Sequence, residues 1–258
     1  MTATVLNSFD MTQRWMRALI RQPWWIAITL VQPIIWLLLF GALFKAVTEI
    51  PGFEAASYND FLAPGVIVMA SVFAAGWNGM GTLEDLQRGV MDRFLVTPVS
   101  RSPLIIGPIA QVSIVIVIQS LIMVGISLAV GAEFPGGVHG IAALFLATVL
   151  LAATLAAFSQ AIALVTRQEE TLIGIVQFVV LPLTFLSACF MQLDLAPGWI
   201  QDLAKFNPVN WTVEAGRDAT SAAADWGFIF ERIGLLAILA AFSIWVATRA
   251  FRSYQRSV

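Results

Sequence analysis

Long apolar runs separated by shorter polar stretches set the pattern of this chain. Six runs are long enough to cross a bilayer, at about 20 residues each: 24–44, 61–81, 104–130, 141–166, 172–191 and 228–250. Gln32-Pro33 inside the first run predicts a bend, and Pro182 predicts a break in the fifth. Trp24 and Trp25 stand where an interfacial aromatic belt belongs. The fourth run is rich in alanine (Ala152, Ala153, Ala156, Ala157, Ala161), which lets helices pack closely. The pattern predicts an all-α membrane protein of six spans forming a single transmembrane domain over 1–258.

Three polar stretches carry patterns of their own. Residues 1–22 place Asp10, Arg14, Arg17 and Arg21 on one helical face and Val5, Phe9, Trp15, Met16, Leu19 and Ile20 on the other. That division suits a helix lying in the headgroup region. In residues 83–101, Leu83, Leu86, Val90, Phe94 and Leu95 make one apolar stripe among charged neighbours, until Pro98 stops the run. The spacing predicts a short amphipathic helix over 83–97, either an ordinary solvated loop helix or a docking helix for a cytosolic partner. In residues 192–227, Pro197-Gly198 and Asn207-Pro208 are turn signals. Between them Trp199, Ile200, Leu203 and Phe206 form an apolar stripe too short to span, which predicts short helices half inserted in the outer leaflet.

Charge then orients the spans. Ten of the 14 Lys and Arg residues fall on the side of the two termini and four (Lys45, Lys205, Arg217, Arg232) on the other. The positive-inside bias puts both termini and residues 83–101 in the cytoplasm. Only 12% of the residues are charged, against about 25% in a typical soluble domain. With a net charge of −2 there is no footprint for nucleic acid.

Candidate chemistry is sparse. No Asp, Glu, Lys or Arg lies near the middle of a run, which argues against a proton-coupled path built on a buried carboxylate. A single histidine, His139, and a single cysteine, Cys189, exclude metal or triad sites built on several of either. Neither lysine follows a glycine, so there is no phosphate-binding loop and the chain is no conventional ATPase. The polar groups that remain in the runs are Gln32, Asn78, Gln111, Gln119, Gln160, Gln177, Thr184 and Ser187; the candidate path residues are Gln32 in the first run, with Gln177, Phe178, Thr184, Phe185 and Ser187 in the fifth. Hydrogen bonding between helices is the plainer role for the polar ones. No cofactor is expected on this chain, and any energy source is expected on a separate motor.

Two groups of residues carry a family resemblance. Asp85-Leu86, Gly89, Asp92-Arg93-Phe94, Pro98 and Ser100-Arg101 form one; Ser187, Phe190, Pro197, Trp199, Asn207-Pro208 and Arg217 form the other. Together they resemble the membrane subunits of type-2 ATP-binding-cassette exporters, closest to the daunorubicin-resistance permease branch. Val96-Thr97 departs from that branch's commoner Arg-Ser. The resemblance implies a permease in a bacterial cytoplasmic membrane, paired with a second copy or a sister permease and driven by two ABC ATPase subunits that hold ATP and Mg. It implies motor coupling through Asp85, Leu86, Gly89, Asp92, Arg93, Phe94, Pro98 and Arg101, and an extracytoplasmic cap at Pro197, Trp199, Asn207, Pro208 and Arg217. Hydrophobic or amphipathic small molecules or lipids are the expected cargo. Export of polysaccharide or glycolipid, and a role as a non-transporting anchor for an ATPase, stand as alternatives.

Overall fold

The computed structural model describes residues 23–49, 57–89 and 102–255. The expected interfacial helix over 1–22, residues 90–101 of the docking segment, Arg256, and the side chains of Trp24 and Trp25 lie outside the described residues. Among the described residues every regular element is helical. The first helix, α1, runs Pro23–Leu43 and is followed by a 3-10 turn at Lys45–Glu49. Ser57 then caps α2 (Tyr58–Gly76) by accepting the Asp60 N–H at 3.1 Å. A single residue, Trp77, separates α2 from α3 (Asn78–Gln87). The long helices α4 (Ser102–Ala129) and α5 (Gly137–Thr166) follow. Arg167, at φ 55°, turns the chain into α6 (Glu169–Phe185). Two short helices, α7 (Gly198–Ala204) and α8 (Pro208–Thr220), precede the last, α9 (Trp226–Gln255).

Among the described residues four stretches are long and apolar enough to cross a membrane: Tyr58–Gln87, Pro103–Ala129, Gly137–Thr166 and Trp226–Arg252. Over Ile28–Leu43, α1 is a shorter apolar helix, and α6 has 17 residues. The central helix is α5, against which α2, α3, α4, α8 and α9 all pack. Its Ala152, Ala153, Ala156, Ala157 and Ala161 are all buried, as close packing requires. Rings and branched chains such as Ile28, Ile35, Leu121, Phe230, Ile238, Phe242 and Trp245 face outward. Such a surface is that of a protein solvated by lipid, in which apolar residues surround the bundle as well as fill it.

Two boundaries differ from the expectation. Residues 83–87 do not open a separate helix over 83–97; they close α3, and the helix stops at Arg88. Burial explains the shift, since Leu83 is packed into the core with α3. Gly89 ends the run at φ 64°, a conformation that costs glycine little. The fifth helix does not extend to 191 and does not break at Pro182. Pro182 lies inside α6, and the Leu186 N–H closes the last turn onto the Pro182 carbonyl at 2.8 Å. Residues 186–191 then form a turn in which Ser187, Ala188 and Cys189 are buried.

Candidate functional site

The residues expected to form a cap lie on α7 and α8, and asparagines join α8 to the 186–191 turn and the end of α6. Asn207, 4% exposed, precedes Pro208 at the start of α8. Its Oδ1 accepts the Val209 N–H at 2.9 Å, an N-cap completed by proline in the first helical turn. Its Nδ2 donates to the Leu183 and Leu186 carbonyls at 2.7 and 2.8 Å. One amide thus satisfies the free end of α6 and the start of α8 together. Asn210 Oδ1 accepts the Ala188 N–H at 2.9 Å, and its Nδ2 donates to Glu214 at 2.8 Å. Pro197 is the N-cap of α7, whose Trp199 is 61% exposed.

Arg217 fastens α8 to the second helical stretch. Its guanidinium donates to the Phe61 carbonyl at 3.0 Å and to the Ala188 carbonyl at 2.8 Å. It also lies 3.5 Å above the Phe61 ring, a cation–π contact. Burial pulls its pKa down to about 10, with Cys189, Glu214 and Tyr58 acting the other way, so the cation persists at neutral pH. Glu214 pairs with Arg232 of α9 at 3.3 Å. Small residues admit α8 this closely: a Cβ on Gly136, just before α5, or on Gly140 within it would collide with the Ala219 carbonyl, and one on Gly216 with Leu144.

A chain of rings runs beneath the cap. Phe185 of α6 packs on Phe190, which touches Trp36 and Phe40 of α1 at 5.3 and 5.5 Å between centroids. Phe40 continues through Phe44 and Tyr58 to Phe61, the ring under Arg217. The Tyr58 hydroxyl donates to the Phe190 carbonyl at 3.1 Å. Below Trp36, an open groove of about 410 Å³ is lined by Ile28, Val31, Gln32, Ile35 and Trp36.

The expected path residues divide between two faces. Gln32 and Gln177 are exposed, as are Phe178 (81%) and Phe185 (58%). Thr184 and Ser187 instead turn into the bundle, where they bond the Val180 and Thr184 carbonyls. At the other end of the bundle, Gln87 of α3 donates to Glu169 of α6 at 3.0 Å. Asp85 and Leu86 are partly buried beside it and Gly89 ends the run; Asp92, Arg93, Phe94, Pro98 and Arg101 lie outside the described residues. Among the described residues no three His, Cys, Asp or Glu side chains group as a metal site requires.

Sequence reasoning missed Tyr58, Phe61, Asn210 and Glu214 as parts of the cap. Asn210 had a local signal, three residues after the capping Asn207. Phe61 had none, because its role lies in an unremarkable backbone carbonyl and a ring inside an apolar run. Gln119 is a helix-to-helix bond, donating to Thr29 of α1 at 2.8 Å, as its type suggests.

Comparison with known proteins adds the following. The family model "ABC-2 type transporter" matches residues 9–220. The daunorubicin resistance ABC transporter permease protein DrrB1 of Streptomyces coeruleorubidus is 28% identical over 218 residues, covering 81% of this chain and 75% of that one. A protein of Cyanophora paradoxa described as a transport permease, ycf38, is 29% identical over 208 residues, 80% of this chain and 71% of its own. An Escherichia coli protein described as a multidrug ABC transporter permease, YbhR, is 23% identical over 198 residues, with 76% and 53% covered.

Proposed function

The chain belongs to the ABC-2 type transporter family, and from that membership we propose that it is the membrane subunit of an ATP-driven exporter of hydrophobic or amphipathic small molecules. The observation that carries the cargo class is the outward surface of α1 and α6. It sets two amides, Gln32 and Gln177, among Ile28, Ile35, Phe178 and Phe185, with the ring chain and cap above. A mixed surface of this kind suits a ligand with an apolar body and a few polar groups. Drug-resistance relatives support the same class.

In this reading α1 and α6 complete a set of six spans, and both termini are cytoplasmic. Two permeases face each other across the α1 and α6 surfaces, so that the path lies between them. Two ABC ATPase subunits bind ATP and Mg and meet the permease through residues 85–101. The cap closes the outer end.

Reconstitution with its ATPase tests the proposal. The purified chain alone should turn over no ATP, and the complex should move daunorubicin, used as a fluorescent probe, out of vesicles when ATP is added. Single cysteines at Gln32, Gln177, Phe178 and Phe185 in a Cys189→Ala background should be shielded by the probe. A chain that binds the ATPase yet moves neither this probe nor a labelled lipid is an anchor. Shielding confined to α4 and α5 would put the path elsewhere.

A further inference from the structure

The hydrogen-bond ladder of the second helical stretch is opened at Trp77 by a side chain from its neighbour. In an unbroken α-helix the Met80 N–H would bond the Gly76 carbonyl; here it donates to the Trp77 carbonyl at 3.0 Å. Ser159 of α5 fills the gap. Its hydroxyl donates to the Gly76 carbonyl and accepts the Gly79 N–H at 2.9 Å. A side chain inserted into the ladder is one of the few established causes of helix bending. The approach is close, since a Cβ on Gly79 would lie 2.6 Å from Ser159 Oγ.

Neighbouring amides hold the same break. Asn78 Oδ1 accepts from Gln160 Nε2 at 2.7 Å, and Asn78 Nδ2 makes a long 3.4 Å contact to the Pro108 carbonyl. Gln160 is fully buried and its Oε1 has no partner. An orphaned buried acceptor penalises this arrangement against one that satisfies it. The weakly held Asn78 Nδ2 is the donor that a shift of α3 could offer. The break therefore has a second arrangement within reach.

We propose that Ser159 is a positioning residue for coupling: by occupying the ladder it sets the direction of α3, which carries Asp85, Leu86 and Gly89 toward the motor. The proposal rests on the exporter reading above. The ten residues of α3 span about 15 Å, so a bend of about 20° displaces their end by about 5 Å. Without the hydroxyl, the Gly76 carbonyl recovers the Met80 N–H and the ladder closes.

Spin labels test this on the whole chain in a Cys189→Ala background. A pair at Glu84→Cys and Val138→Cys reads the end of α3 against the outer end of α5. A pair at Val138→Cys and Val165→Cys spans α5 alone and serves as a fixed ruler. Ser159→Ala is expected to move the label at Glu84, about 10 Å along α3, by about 3 to 4 Å against the first partner and leave the second distance unchanged. In the complex, Ser159→Ala should keep the ATPase bound and hydrolysing but move about fivefold to tenfold less daunorubicin per ATP. Ser159→Thr, which keeps the hydroxyl, should restore both readings. An unchanged Glu84–Val138 distance overturns the proposal, and so does a loss of transport in proportion to ATP turnover. A wild-type complex that hydrolyses ATP without moving the probe overturns the exporter reading instead, and the distances then still decide whether Ser159 sets α3.

Discussion

Replacing Asn207 by alanine removes three hydrogen bonds, one that caps α8 and two that join it to the end of α6. The cap bond to the Val209 N–H contributes about 1 kcal/mol. The Leu183 and Leu186 carbonyls lose their bonds to Nδ2 in a site where Asn207 is 4% exposed. Each orphaned acceptor costs about 1 kcal/mol or more, which brings the expected loss to about 3 kcal/mol. For a chain of this length each kcal/mol lowers the unfolding midpoint by about 2 to 4 °C, so Asn207→Ala should fall by about 6 to 12 °C. Thermal unfolding in lipid nanodiscs, followed by tryptophan fluorescence, reads the midpoint. Asn207→Asp separates the two contributions. Aspartate caps α8 as well as asparagine does, but it has no donor and turns a carboxylate toward two carbonyls. It should therefore lose at least as much as alanine. If Asn207→Asp melts within about 1 °C of wild type, only the cap matters and the joint between α6 and α8 is energetically empty.

Other substitutions probe the remaining joints. Arg217→Met strips the Phe61 and Ala188 carbonyls of a charged donor, an effect of about 2 to 4 kcal/mol that the same melting assay should register, with Arg217→Lys recovering at most part of it. Gly140→Ala drives a Cβ into the Ala219 carbonyl and should cost about 1 to 3 kcal/mol, whereas Gly174→Ala, with nothing within 4 Å, should be neutral or slightly stabilising. Phe94→Ala should release the ATPase in copurification at equal membrane abundance, by about 2 kcal/mol if the ring is a buried anchor; Arg93→Ala should mainly alter the salt dependence of that association. Normal export with the motor retained in Phe94→Ala would make that stretch a solvated loop.

Helix positions were legible because an apolar run of sufficient length has few other stable forms in a bilayer. The start of α8 was legible for a local reason, since Asn207 and Pro208 act on backbone groups within a few residues of themselves; Ser57 offered the same kind of signal for α2, which starts at Tyr58 and not at 61. Ends were harder. The C-terminal limit of α3 depends on Leu83 being buried against distant helices, and the C-terminal limit of α6 depends on Asn207, 21 residues beyond Leu186. Thr184 and Ser187 looked like path residues because sequence separates polar from apolar positions but cannot say which side of α6 the bundle covers. Phe178 and Phe185 were the better indicators of the outward face.

The sequence by itself determined the class of protein, the family, and the approximate places of the helices, because these follow from run length, charge distribution and short motifs. Tertiary structure decided the joints. Arg217 became the fastening between α8 and Phe61 only once chain segments 156 residues apart were brought together. Ser159 entered the ladder of α2 and α3 only because glycine at 79 lets the backbones approach. A hydrogen bond between remote segments depends on the three-dimensional meeting of a donor and an acceptor, and almost any backbone carbonyl can be the acceptor. Nothing in the local sequence distinguishes the carbonyl that will be used, whereas the apolar run that places it in the membrane is written residue by residue.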